Sequence, residues 1–279
     1  MKVSLLSQLI VLFLITQFLG LAVGIQLIPQ EEVRARMVTE NPEDPINTIA
    51  LMAYILIATG FMLVLIWFLK GFFLKLFFKV LESLAVLGTS FIVFGSFLTD
   101  LATVLILSFG LVFLRAIFPK HLILRNIASI IAVAGVGALI GVSFGVWPII
   151  IFMVLLAFYD LIAVFKTKHM VVLAKSITKQ NLSFTFALPT KEHTFELGTG
   201  DMVVPLTFAV SVLHATNPAL PLFSRLIPSL LILFASLIGL LWTLNYGAKQ
   251  VGRALPALPP QTIIMLLVFI VTYLFGFFN

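Results

Sequence analysis

Two of the chain's eleven carboxylates stand where water should be scarce. Asp160 follows Tyr159 near the end of an apolar run, with no Lys or Arg beside it in that run to neutralise it. Asp201 opens the next apolar run, after Gly198-Thr199-Gly200. An ionisable residue inside a membrane is costly and points to function. Two carboxylates held close in low dielectric cannot both ionise, so they share a proton and titrate as a pair. Such a pair can hydrolyse a peptide: one acid takes a proton from water while the other protonates the carbonyl oxygen. The glycines before Asp201 remove bulk, so backbone or substrate can come close. Tyr159 offers a ring and a hydroxyl beside the pair. The same two acids would also suit an ion path or a helix–helix hydrogen bond, and Asp201 alone reads as a helix N-cap.

The elements that must position these acids follow from composition. Of 279 residues, 61% are hydrophobic and 10% charged, and the mean hydropathy is +1.20. A soluble domain carries about 25% charged residues, so this chain lacks the polar surface for a soluble fold. Nucleic-acid binding, coiled coil and disorder fall with it. The reading is an all-α polytopic membrane protein, one domain over 1–279, with the lipid bilayer as its surroundings. Because a span needs about 20 apolar residues, nine are expected: Val3–Ile28, Ile46–Leu69, Val80–Thr99, Leu101–Phe118, Leu122–Val146, Pro148–Phe165, Asp201–Ala215, Leu226–Tyr246 and Pro256–Phe278. Spans one to six occupy 1–165, a cytoplasmic loop 166–200, and spans seven to nine 201–279. Gly71–Phe78, interrupted by Lys75, reads as an interfacial connection. The first span is too long for a signal-peptide core, which runs about 7–15 residues, and is retained.

The net charge of +6 reports orientation. Nine spans place fourteen of the 17 Lys and Arg on the side of the N-terminus and three on the other. By the positive-inside rule the N-terminus is cytoplasmic and the C-terminus outside, in a multi-pass protein of the cell membrane. Glu31, Glu32, Glu40, Glu43 and Asp44 then lie in an outer loop, Glu192 and Glu196 in the inner one, and Glu82 and Asp100 at the ends of the third span, within reach of water. Asp160 lies about 9 Å below the inner boundary marked by Lys166, at 1.5 Å per helical residue. Asp201 starts from that same side, so the two acids share a depth. The small residues Gly137, Gly141 and Gly145 recur at a spacing that lets helices pack closely.

The ninth span begins Pro256-Ala257-Leu258, near the same depth again. With Tyr159-Asp160 and Gly198-Thr199-Gly200-Asp201 (a Gly-x-Gly-Asp motif) in that order across nine spans, the chain resembles the presenilin and signal peptide peptidase family of intramembrane aspartyl proteases. The compact, cysteine-free chain looks like an archaeal presenilin homologue. The resemblance implies that Asp160 and Asp201 are the catalytic pair. It implies that Tyr159, Gly198 and Gly200 are motif companions, with Thr199 in the variable position. Pro256, Ala257 and Leu258 would border the active site and help select substrate. It implies no metal and no cofactor, and substrates that are transmembrane helices; no partner subunits are evident. Pro218-Ala219-Leu220 repeats the string on the outer side and reads as coincidence.

Other chemistries find little support. There is no cysteine and no His-Glu-x-x-His zinc motif. Gly141-Val142-Ser143-Phe144-Gly145 fits a nucleophile elbow, but such an elbow needs a strand-to-helix turn and this one ends an apolar helix. An ion-coupled transporter or cation leak is the competing class, yet no inverted repeat or matched pair of broken helices is visible. A substrate helix must unwind before hydrolysis, and bare backbone in lipid needs partners. An extended edge can supply them by strand addition. The candidate segments are Ser183–Leu188, with alternating Phe184, Phe186 and Leu188, and His193–Leu197.

Overall fold

Each long apolar run becomes a helix because hydrocarbon offers no partners for backbone groups, so the chain must satisfy its own. The computed structural model describes residues 3–35, 38–39, 41–69, 71–167, 182–189, 194–247 and 256–278. Among them are α1 (Val3–Leu27), α2 (Pro45–Phe68), α3 (Gly71–Phe97), α4 (Leu101–Ile117), α5 (Leu122–Ser143) and α6 (Val146–Leu161). After these come α7 (Gly200–Ala215), α8 (Leu222–Gly247) and α9 (Leu258–Leu274). Six stretches are long and apolar enough to cross a membrane, that of α6 running on through Lys166; α4, α7 and α9 are apolar but shorter.

Local chemistry fixes several boundaries. Asp44 caps α2 through the Ile46 N–H at 2.9 Å, with Pro45 in the first turn, where its missing N–H costs nothing. Asp100 caps α4 through the Thr103 N–H at 2.9 Å. The Thr103 hydroxyl and amide hold the Asp100 carboxyl below its ordinary 3.8. Gly71–Phe78 is not a separate connection: it forms the first two turns of α3. Gly71 supplies the left-handed turn that starts the helix (φ +58°), and Lys75 projects into the surroundings without breaking it.

The bundle is apolar on its surface and holds buried polar side chains within an apolar core. Phe223, Leu274, Tyr54 and Trp67 are exposed on its surface, while Thr16, Gln17, Ser129, Thr207, Ser211, Ser229, Ser236 and Gln261 are buried. That distribution suits a lipid solvent, which gains nothing from hiding apolar side chains. Helix α5 lies at the centre against α1, α3 and α7. A Cβ on Gly141 would stand 2.7 Å from Thr207 O, and one on Gly137 2.7 Å from the Leu206 side chain. Those two glycines therefore set the α5–α7 approach. Gly145 instead caps α6 against the α1–α2 loop, its N–H donating to Pro42 O at 2.9 Å. Helix α8 packs on α7 and α9, and α6 joins α2, α7 and α9.

The all-α expectation needs one correction. Thr185–Pro189 (β1) and Thr194–Gly198 (β2) form an antiparallel hairpin just before α7, with Phe186 opposite Leu197 and Ala187 opposite Glu196. The alternating apolar residues there read as extended in the sequence; what that reading lacked was that the two segments pair with each other. Pro218-Ala219-Leu220 lies in the turn between α7 and α8, at the opposite end of α7 from Asp201. His193 and the segment 168–181 lie outside the described residues.

Candidate active site

Asp160 occupies the last turn of α6, after half-buried Tyr159. The helix then loosens into a π-turn over Ile162–Thr167, whose first N–H is shared between Phe158 O and Tyr159 O. Single π-turns of this kind recur at functional sites because they re-aim side chains. Asp201 is the second residue of α7, and Thr199 stands at its N-cap. Helices α6 and α7 are in contact, and the charges of Asp160 and Asp201 act on one another. The Asp160 carboxylate accepts a hydrogen bond from the backbone N–H of Leu258. Gln261 Nε2 donates to Asp201 O at 3.4 Å. Segments far apart in sequence thus meet: the end of α6, the start of α7 and the start of α9.

The motif companions divide by role. A Cβ on Gly198 would lie 3.6 Å from Asp201 Oδ2, against the carboxylate itself, whereas one on Gly200 would meet nothing within 4 Å. Thr199 ties the N-terminus of α7 to the hairpin: its N–H and its hydroxyl both donate to Phe184 O, at 3.3 and 3.0 Å. Pro256, Ala257 and Leu258 are all buried at the mouth of α9.

Among the described residues, helix side chains bind the hairpin's backbone along one edge only. Ala187 gives its N–H to Asn126 Oδ1 and takes Asn126 Nδ2 on its carbonyl, at 2.8 and 2.9 Å. Ser129 Oγ lies 3.0 and 3.3 Å from Ser183 O and Thr185 O, and Gln8 Nε2 donates to Pro189 O at 3.2 Å. So Ser183, Thr185, Ala187 and Pro189 turn their backbone groups toward α1 and α5, leaving Phe184, Phe186 and Leu188 to face β2. Antiparallel pairing alternates in this way. On β2 the residues facing β1 are then Phe195, Leu197 and Thr199. Thr194, Glu196 and Gly198 point their N–H and C=O groups away, and no helix side chain takes them among the described residues. The free edge is therefore β2. The expectation that Phe184 and Phe186 offer backbone to a substrate is overturned, because theirs is spent on β2.

Two ion pairs anchor this hairpin, and neither was legible in the sequence. Glu82 on α3 pairs with Arg115 on α4 at 3.1 Å, both 4% exposed, and Glu82 Oε1 accepts the Ser183 N–H at 2.8 Å. Arg125 on α5, 1% exposed, grips Glu196 with both guanidinium arms and also donates to Thr185 Oγ1. Such a fork adds orientation as well as attraction. Glu82 therefore does not reach water as expected. Arg115 and Arg125, which the sequence reading used only to count sidedness, are buried structural cations.

The remaining candidates are occupied elsewhere. Ser143 Oγ accepts the Ala35 N–H at 2.7 Å and donates to Leu139 O at 2.6 Å, and His214 meets Arg34, so no serine–histidine pair forms. Among the described residues no cluster of three His, Asp or Glu could hold a metal. An apolar cleft of about 440 Å³ between α1 and α8, lined by Phe13, Gln17, Phe18 and Phe234, contains neither aspartate.

Residues 10–197 match the family model described as signal-peptide peptidase, presenilin aspartyl protease. The chain belongs to this family and is an intramembrane aspartic endopeptidase. The match includes Asp160 and stops just before Gly198, so Asp201 and Pro256–Leu258 rest on the geometry above. No curated relative matches the chain. In fold it is similar to a presenilin family intramembrane aspartate protease solved in two crystal forms. In the C222 form the identity is 21% and the TM-score 0.64, over 94% of both chains. In the P2 form they are 23% and 0.65, over 95% of this chain and 96% of that one.

Proposed function

We propose that Asp160 and Asp201 are the catalytic pair and that the chain cleaves transmembrane helices within the bilayer. The observation that carries this is the convergence of both carboxylates with the Leu258 amide at one end of the bundle. One carboxylate takes a proton from water, which attacks the scissile carbonyl carbon. The other, protonated, gives its proton to the carbonyl oxygen. The tetrahedral intermediate then collapses as its nitrogen is protonated and the C–N bond breaks. The Leu258 N–H orients the Asp160 carboxylate for this exchange. Tyr159 and Gly198 border the pair, and Pro256 and Ala257 shape the entrance to it. No metal or cofactor enters.

Depth follows from helix length. The 16 residues of α7 span about 24 Å, short of the ~30 Å hydrocarbon core. If α7 reaches the far boundary, Asp201 starts inside the membrane, and β2 descends to meet it. The nine-span reading, with the short helices α4, α7 and α9 completing their crossings through their flanks, puts the hairpin on the cytoplasmic side with the N-terminus. The whole of 1–279 then acts as one membrane domain, and 166–200 is the segment that brings water and substrate to the acids. An unwound substrate strand adds to the outer edge of β2, at Thr194, Glu196 and Gly198, within a few residues of Asp201. The transporter alternative draws no support from the family or the fold.

The test is cleavage of a single-pass reporter helix, its N-terminus outside, by purified enzyme in liposomes, with products mapped by mass spectrometry. Cuts within the apolar segment that vanish in both Asp160→Asn and Asp201→Asn are expected. Undiminished cleavage by either folded variant would overturn the assignment.

A further inference from the structure

Helix α7 carries a proline in its interior, at Pro205. Proline has no N–H, so the helix bond that would reach four residues back cannot form. The carbonyl left without its partner is that of Asp201. In the membrane such an orphan is expensive, and a broken ladder is tolerated only where neighbouring helices re-satisfy it. One buried carboxamide does so, and a second binds the neighbouring carbonyl. Gln261 of α9, fully buried, places Nε2 3.4 Å from Asp201 O, a long and therefore weak bond. Gln17 of α1, 2% exposed, donates through Nε2 to Met202 O at 3.0 Å. In each glutamine the side-chain Oε1 is buried with no hydrogen-bond partner among the described residues. Burying an amide with one end unpaired costs stability, so the donor end is what these positions retain.

Gln261 is also held in place from behind. A Cβ on Gly239 of α8 would come within 2.8 Å of Gln261 Cα and 3.1 Å of its N, so α8 and α9 touch backbone to backbone at this turn. One turn earlier, the Leu258 N–H holds the Asp160 carboxylate. A single stretch of α9 therefore grips both acids: one by its carboxylate, the other by its backbone.

We infer that Gln261 is a positioning residue for the catalytic pair, supplying the donor that Pro205 withholds and so fixing Asp201 relative to Asp160. The inference rests on the reading of Asp160 and Asp201 as that pair. It explains why the first turn of α7 can be broken beside a group that must be placed to within a fraction of an ångström. Misplacement by about 1 Å can cost a hundredfold in rate.

The test is a double-mutant cycle on the full chain in liposomes, reading kcat and KM separately. Gln261→Leu removes the donor, and Pro205→Ala restores the N–H. Gln261→Leu is expected to lower kcat about tenfold with KM little changed. In the Pro205→Ala chain, taken as its own reference, the same substitution is expected to cost less than about twofold, because the helix then supplies the bond. Equal losses in both backgrounds, or a change confined to KM, would overturn the inference. If Gln261→Leu does not accumulate as folded protein, Gln261→Asn serves, since its shorter side chain draws the amide back from Asp201 O. Activity persisting in Asp201→Asn would defeat the catalytic assignment instead, independently of the cycle.

Discussion

Proline at Thr194 should separate the substrate-facing edge of the hairpin from its structural edge. Thr194 is the first residue of β2, exposed, and its N–H points away from β1. Proline is tolerated at the first residue of an edge strand, so Thr194→Pro removes one outward donor and no β1–β2 bond. Three residues, Thr194, Glu196 and Gly198, present outward groups, so the substrate loses one of a few main-chain partners. A substrate carbonyl left unpaired in an apolar site costs about 1–3 kcal/mol. At 1.4 kcal/mol per tenfold, kcat/KM should fall by about 5- to 150-fold. Two comparisons isolate the cause. Thr194→Val keeps the N–H and should cleave like the parent chain. Phe195→Pro strikes the inner ladder opposite Leu188 and should lower Tm along with activity. Cleavage of the reporter helix by Thr194→Pro at the parent rate, with Tm unchanged, would refute strand addition at this edge.

Arg115→Met should strand the Glu82 carboxylate in the bundle. Removing one partner of a buried ion pair costs about 3–5 kcal/mol, and a marked fall in Tm should register it. Adding Glu82→Gln should recover part of that loss, because a glutamine oxygen can still accept the Ser183 N–H; no recovery would mean that the pair is not the source. Among the glycines, Gly141→Ala should destabilise, since its methyl would press on Thr207 O and Val210, whereas Gly200→Ala should fold with the parent Tm because its methyl meets open space. Equal Tm values for the two alanine variants would contradict the α5–α7 packing described here.

The apolar runs and the two acids were legible because each declares itself locally. Hydrocarbon length sets a span, and a carboxylate inside one is conspicuous whatever its partners. Eight of the nine expected spans have both ends within four residues of the helices, because caps such as Asp44 and Asp100 sit at the ends of apolar runs. The hairpin edge was not legible. Alternation marked 184–188 as extended, but which backbone edge stays free depends on Asn126 and Ser129, more than fifty residues earlier. Glu82, Arg115 and Arg125 were misread for the same reason. Each charge taken alone suits a membrane boundary, and only the packing of α3, α4 and α5 around β1 shows that they answer one another.

Several irregular features gather around the two acids. The π-turn follows Asp160, Pro205 interrupts α7 one turn after Asp201, the strands precede Gly198, and three residues before α9's second proline Ala257 opens its first turn. Such breaks release backbone groups that a bilayer would penalise, and side chains from other helices meet those at the start of α7 and along β1: Gln261, Gln17, Asn126, Ser129 and Glu82. An enzyme that must unwind a helix inside a membrane faces that same penalty on its substrate's behalf. Among the described residues, no helix side chain takes the backbone groups on the outer edge of β2. In the reading proposed here, a second unwound chain pairs along that edge, whose last residue, Gly198, stands three residues before Asp201.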